Sequence, residues 1–83
     1  MTYEIVFTKR AVKDLEKLEQ KVKDRIIKKL RECKLDPLTH AKKLTNPKLG
    51  SFRFKIGDYR VIFDLDDRII VILRVGHRKT IYQ

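Results

Sequence analysis

The sequence is poor in the residue types from which most catalytic and metal sites are assembled. Cysteine occurs once, as Cys33, so an intrachain disulfide is impossible and a cysteine-built zinc cluster is excluded by count. Its register with Val22, Ile26 and Leu30 on one helix face makes it, in expectation, an inert core thiol. No glycine-rich phosphate loop, internal repeat, low-complexity tract or linker is present, and no Ser–His–Asp arrangement or carboxylate pair on a helix face appears. Asp66-Asp67 is the only adjacent acidic pair, and its place between two strands reads as a turn rather than a metal site. Two-metal nuclease chemistry needs clustered acidic ligands, which the basic part of the chain does not offer, so neither metal nor cofactor is expected. His40 stands alone in a loop and receives no role. No hydrophobic run approaches the ~20 residues of a membrane span, and residues 1–20 are too charged for a signal peptide. The expectation is a soluble, cytoplasmic protein with no membrane partner.

What the chain has in excess is positive charge. Twenty-one Lys and Arg against eleven Asp and Glu give +10 in 83 residues, and an excess of that size opposes a compact fold through self-repulsion. A polyanionic partner is the usual reason to keep it. The excess is uneven: residues 1–41 hold eleven basic and seven acidic groups, residues 42–83 ten and four. The first half mixes its signs as a solvated helix surface does; the second does not. The length accommodates one domain, residues 1–83, and 42% hydrophobic residues in periodic runs are enough for a packed core.

Thr2–Phe7 reads as a strand, with Tyr3, Ile5 and Phe7 alternating against Thr2, Glu4 and Val6. Thr8 is a helix cap. Ala11, Val12, Leu15 and Leu18 line one side of a first helix; the stripe breaks near Glu19–Gln20. It resumes with Val22, Ile26, Ile27, Leu30 and Cys33, ending before Asp36-Pro37, because proline disfavours helical geometry in the residue before it. Residues 36–50 read as a connecting loop with a short extended piece at Lys42–Leu44. Three strands follow: Ser51–Ile56, Tyr59–Leu65 and Ile69–Val75. A two-residue turn at Gly57-Asp58 pairs Ile56 with Tyr59, Phe54 with Val61 and Phe52 with Phe63, an apolar face for the helices. The other face carries Arg53 and Lys55 across from Ile62 and Arg60; a one-residue slip would drive these charges into the core. Lys55 and Arg60 are then direct neighbours, like charges whose repulsion costs roughly 0.2–1 kcal/mol, and with Arg53 they suggest a site for an anion. The last strand is apolar on both faces. A two-residue turn at Asp66-Asp67 puts Ile69, Val71 and Leu73 on the cationic face; a three-residue loop ending at Arg68 puts Arg74 and Arg78 there instead. Periodicity leaves both open.

The groups able to do chemistry are Arg53, Lys55, Arg60, His77, Arg78, Lys79 and Tyr82, with Arg74 beside them if the longer loop forms. Such a set suffices to cleave RNA. The ribose 2′-OH is an internal nucleophile, so the protein need supply only geometry, charge neutralisation on the phosphoryl oxygens and proton transfer. His titrates in the useful range, whereas Tyr and Arg do so only when strongly perturbed.

The stretch Leu44…Phe52-Arg53-Phe54-Lys55-Ile56-Gly57-Asp58-Tyr59-Arg60-Val61-Ile62-Phe63, followed by Val75-Gly76-His77-Arg78-Lys79-Thr80-Ile81-Tyr82, resembles the RelE family of type II toxins. Residues Thr8–Lys17, with Ala11 and Leu15 opening a helix, fit the start of that family. The resemblance covers almost the whole chain. It implies an α+β fold, β-α-α-β-β-β, in which a two-helix antiparallel hairpin packs on one face of a mainly antiparallel four-stranded sheet with the first strand beside the last. It further implies metal-free cleavage of messenger RNA in the ribosomal A site, halting translation, and a RelB-like antitoxin whose flexible segment covers the basic groove. Carried over by position, Arg53, Lys55 and Arg60 bind and neutralise phosphate with Lys79 and Arg74 nearby. His77 or Arg78 is the general acid, and Tyr82 is the general base or stacks on a base. Some relatives use a glutamate as base, and no Glu follows Glu32 here. Two other functions stand beside this one: a ParE-like toxin of similar fold that inhibits DNA gyrase by binding alone, and an RNA- or ribosome-binding relative without activity.

Overall fold

Thr8 joins the first strand to the first helix and shows how locally the fold is specified. Its Oγ1 accepts the Ala11 N–H at 3.2 Å, capping the helix, and donates to the carbonyl of Ile72 at 3.0 Å, tying that cap to a strand distant in sequence. The computed structural model describes residues 2–45 and 48–82. Its elements are β1 (Glu4–Phe7), α1 (Lys9–Glu16), α2 (Gln20–Cys33), α3 (Pro37–His40), β2 (Ala41–Lys43), β3 (Phe52–Ile56), β4 (Tyr59–Asp66) and β5 (Ile69–His77). They form a mixed sheet of order β1-β5-β4-β3-β2 in which β1 runs parallel to β5 and the other pairs are antiparallel.

Ala11 of α1 and Ile26, Leu30 and Cys33 of α2 pack onto Phe54 and Ile56 of β3, Val61 and Phe63 of β4, and Ile70, Ile72 and Val75 of β5. Phe63 is the centre, stacked on Phe54 at 4.3 Å and on Phe52 at 5.5 Å between ring centroids. Cys33 is fully buried; burial pushes its thiol above the ordinary 9.0, with Lys29 opposing and Glu32 adding to the shift. The β3–β4 register is the one the alternation requires, closed by Gly57 at φ +60° in the turn.

Two expectations are corrected. The sheet has five strands rather than four, because the short extended piece expected at Lys42–Leu44 is a paired strand, β2, and the connecting segment before it holds α3. Pro37 pre-sets the first helical residue, Asp36 accepts a hydrogen bond from the Thr39 hydroxyl, and Ala41–Lys43 pairs with β3 as an edge strand. Asn46 and Pro47 of that expected loop lie outside the described residues. Val12 was expected in the core but is 43% exposed, because α1 is only eight residues long and rests on Ala11 and Leu15.

The β4–β5 turn is Asp67-Arg68, one residue later than the two-residue alternative, with Asp67 at φ +55°. A β-bulge then follows: Phe63 pairs with Ile72 but Ile62 with Arg74, leaving Leu73 as the extra residue. Each alternative is therefore half right. Ile69 and Val71 lie on the face away from the helices, and past the bulge Arg74 falls opposite Ile62. On that same face Gly50, at φ +150°, lies against Ile62 and Leu73; a Cβ there would fall 2.6 Å from Ile62 Cγ2. This close approach is why Ile62 is buried although no helix covers it.

Candidate functional site

The helix-free face is built by the pairing just described. Arg53 lies opposite Lys42 on one side and Ile62 on the other; Lys55 lies opposite Arg60, and Arg60 opposite Gly76. After β5 the chain turns sharply, with the Thr80 and Ile81 N–H groups donating to the His77 carbonyl at 3.0 and 2.9 Å. The turn lays Ile81, buried, over Gly76, its Cδ1 3.0 Å from where a Cβ would sit. Tyr82, 42% exposed, thereby reaches β3. It lines a cleft of about 470 Å³ with Arg53, Lys43, Leu44, Thr45 and Leu49.

Arg60 occupies an unusual position. It is only 7% exposed, and its Nη1 donates to the carbonyls of Gly57 and Tyr59, both at 2.9 Å. Among the described residues no carboxylate pairs with it. Burying a guanidinium away from a counter-charge costs several kcal/mol even after relaxation, and Lys55 in register beside it adds repulsion. The repulsion is moderated by divergence: Lys55 is exposed, whereas the Arg60 head bends back onto its own turn.

The other sequence-derived candidates separate. Arg78 stands over the β3–β4 turn, its N–H donating to the Asp58 carbonyl at 2.8 Å and its Nε 3.7 Å from Asp58 Oδ1. Both side chains are more than half exposed, so that ion pair is weak. His77 faces the helix side, edge-on to Tyr59 at 5.5 Å, in a pocket lined by Asp14, Lys17, Arg74 and Thr80. Its Nδ1 accepts the Lys79 N–H at 3.1 Å, which leaves the proton of the neutral ring on Nε2. Lys79 is exposed on the terminal turn. Arg74 is engaged elsewhere: Asp14 Oδ2 accepts from its Nε at 2.9 Å and from the Val75 N–H at 3.0 Å, anchoring α1 to the bulged strand.

Thus Arg53 and Tyr82 share a cleft, Arg60 and Lys55 continue its face, Arg78 stands at the adjoining turn, His77 turns toward the helices, and Arg74, in register with Ile62 of the helix-free face, is held by Asp14 of α1. Sequence reasoning placed Lys42 and Lys43 in a short extended piece but gave them no role; two consecutive lysines between Ala41 and Leu44 were the available signal. Among the described residues no cluster of three His, Cys, Asp or Glu could hold a metal ion. No described helix is long and apolar enough to cross a membrane.

The chain is similar to known proteins. Residues 5–82 match the family model described as ParE toxin of type II toxin-antitoxin system, parDE. Toxin RelG of Mycobacterium tuberculosis is 34% identical over 86 residues, spanning 100% of this chain and 99% of that protein. Toxin RelE3 of Methanocaldococcus jannaschii is 30% identical over 82 residues, spanning 94% and 93%. Among solved structures, the RelBE2 toxin-antitoxin complex from Mycobacterium tuberculosis superposes with a TM-score of 0.85 at 32% identity, covering 94% of this chain and 100% of that one.

Proposed function

The chain belongs to the ParE toxin family of type II toxin-antitoxin systems, and from that membership we propose that it is a ribosome-dependent, metal-free endoribonuclease of the RelE kind. Its substrate is messenger RNA in the ribosomal A site. The observation that carries this reading is the cleft shared by Arg53 and Tyr82, which joins a phosphate-binding cation to an aromatic hydroxyl across 29 positions of sequence.

In this mechanism the 2′-OH attacks the adjacent phosphorus, a bond forms to the 2′ oxygen and the bond to the 5′ oxygen breaks. The products are a 2′,3′-cyclic phosphate and a free 5′-OH. Arg53 and Lys55 neutralise the phosphoryl oxygens, and Arg60 supplies a fixed positive potential beneath them. Its uncompensated burial supports this role, since an anion above it offsets part of the desolvation cost. Tyr82 either accepts the 2′-OH proton or stacks on the neighbouring base, and Arg78 donates toward the 5′ leaving oxygen. His77 lines the helix-side pocket instead, so its part is to hold the terminal turn through Lys79 rather than to touch RNA. The reaction draws on no metal, because the internal nucleophile and the cations supply what a metal would.

The partner in this reading is a RelB-like antitoxin, as in the RelBE2 complex, with the basic face as its seat. A second reading, inhibition of DNA gyrase without catalysis, is favoured by the ParE description of the matching family model. The discriminating experiment adds purified toxin to a cell-free translation reaction and, separately, to a gyrase supercoiling assay. Arrest of translation with untouched supercoiling supports the nuclease; blocked supercoiling with normal translation overturns it.

A further inference from the structure

A second basic cleft lies on the far side of β3 from the Arg53–Tyr82 cleft. It has a volume of about 370 Å³ and is lined by Arg25, Lys28, Lys29 and Glu32 of α2 with Lys55, Ile56 and Gly57 of the β3–β4 hairpin. The helix positions are three and four residues apart, so Arg25, Lys28 and Lys29 crowd one face, where like charges destabilise a helix by roughly 0.2–0.5 kcal/mol per pair. Neutralisation is sparse. Glu32 pairs with Lys29 at 3.3 Å, and the one other acid of α2, Asp24, accepts from Gln20. Gly57 matters for the shape: the Arg25 Nη2 lies 2.9 Å from where its Cβ would sit, so the guanidinium rests directly over the turn.

We propose that this cleft is a second RNA-binding site, which grips the phosphodiester backbone away from the scissile bond. Two observations favour RNA over an acidic protein segment. Among the described lining residues the only apolar side chain is Ile56, 4% exposed, so the apolar surface of the cleft belongs to the aliphatic stems of its Lys and Arg rather than to a pocket for the anchors that helical or extended peptides use. Phosphates need only the cations. In addition, Lys55 belongs both to this cleft and, in register beside Arg60, to the helix-free face, so a polyanion lying in one is continuous with the other. The inference rests on the RNA reading above in its choice of polymer, but requires no cleavage.

The test is binding of a short 2′-O-methyl oligoribonucleotide, which lacks the nucleophile and cannot be cut, measured by fluorescence anisotropy across a salt series. Each phosphate contact on single-stranded RNA contributes about 0.7 to the slope of log affinity against log salt. The triple variant Arg25→Gln/Lys28→Gln/Lys29→Gln is expected to flatten that slope by about 2 and to weaken binding about tenfold or more in low salt. The control Lys9→Gln/Arg10→Gln/Lys13→Gln removes the same charge from α1 and is expected to change the slope less than half as much. Equal slopes in the two variants would overturn the proposal, since net charge alone would then explain binding. Unchanged RNA binding with lost affinity for oligoglutamate would overturn it in favour of an acidic protein partner. Lys28→Glu, at an exposed position, repeats the test without risk to the core. If the slopes differ as expected but translating ribosomes yield no cut message, the nuclease reading fails while this one stands.

Discussion

Replacing Arg60 by methionine separates a functional cation from a structural one. The substitution removes two hydrogen bonds from a charged donor, to the carbonyls of Gly57 and Tyr59, worth roughly 1.5–3 kcal/mol each. Gly57 lies in the exposed turn, and Tyr59 opens β4 beside it and is half-buried, so water replaces part of that loss. Against it stand the burial penalty of the guanidinium, several kcal/mol, and the repulsion from Lys55, roughly 0.2–1 kcal/mol. The opposing sums are similar, and Arg60→Met is expected to unfold within about 1 kcal/mol of the parent, a Tm change of at most about 8 °C for a chain of this size. Message cleavage is expected to fall by about 10²–10³, the usual loss when a fixed electrostatic donor is removed. Arg60→Lys keeps the charge but not the planar fork and should recover little. Thermal unfolding and cleavage by translating ribosomes are measured on the same preparations. A Tm fall beyond about 15 °C, with full cleavage by the fraction still folded, would make Arg60 a latch for the turn and refute the reasoning.

Other outcomes follow from the same contacts. Asp14→Ala leaves Arg74 and the Val75 N–H without their shared acceptor and should destabilise by about 2 kcal/mol, read as a lower denaturant midpoint at unchanged slope. Gly57→Ala forces a side chain to φ +60° and should cost about 1 kcal/mol, with Arg25 swinging aside. Phe63→Ala, at the centre of the aromatic stack, should cost about 3–5 kcal/mol and broaden the amide spectrum. Because burial raises the Cys33 thiol, its contribution to stability is complete below the unfolded-state value near 9.0 and is lost as pH rises toward the folded one. Urea unfolding between neutral and alkaline pH should show that decline, and Cys33→Ala should remove this component.

Much of the fold was legible because local preference and burial agree. In β3, Phe52, Phe54 and Ile56 alternate with Arg53 and Lys55, and only one register keeps both sets where they belong, so the β3–β4 hairpin follows from pattern and the Gly57 turn alone. The stripes of α1 and α2 and the cap at Thr8 are of the same kind. What escaped was tertiary. The bulge at Leu73 leaves no trace in a strand apolar on both faces, yet it decides that Arg74 lies opposite Ile62 and that His77 faces the helices. The edge strand Ala41–Lys43 is too short to show a period. The convergence of Arg25, Lys28 and Lys29 on Lys55 depends on how α2 crosses the sheet, which no single-element pattern encodes. The candidate site was therefore legible as a set of residue types, while its division into a cleft of Arg53 and Tyr82 and a separate His77 pocket arises only in the tertiary fold.

The central claim is that RNA lies across the face bearing Arg53, Lys55 and Arg60 and is cut beside Tyr82. Mapping new 5′ ends on translated messages after a brief induction tests it most directly. Wild-type protein should produce 5′-hydroxyl ends within open reading frames only while those frames are being translated, and Arg53→Ala/Tyr82→Phe should abolish them. Undiminished cutting by the double variant, or the absence of new ends from wild-type protein that still arrests growth, would contradict it.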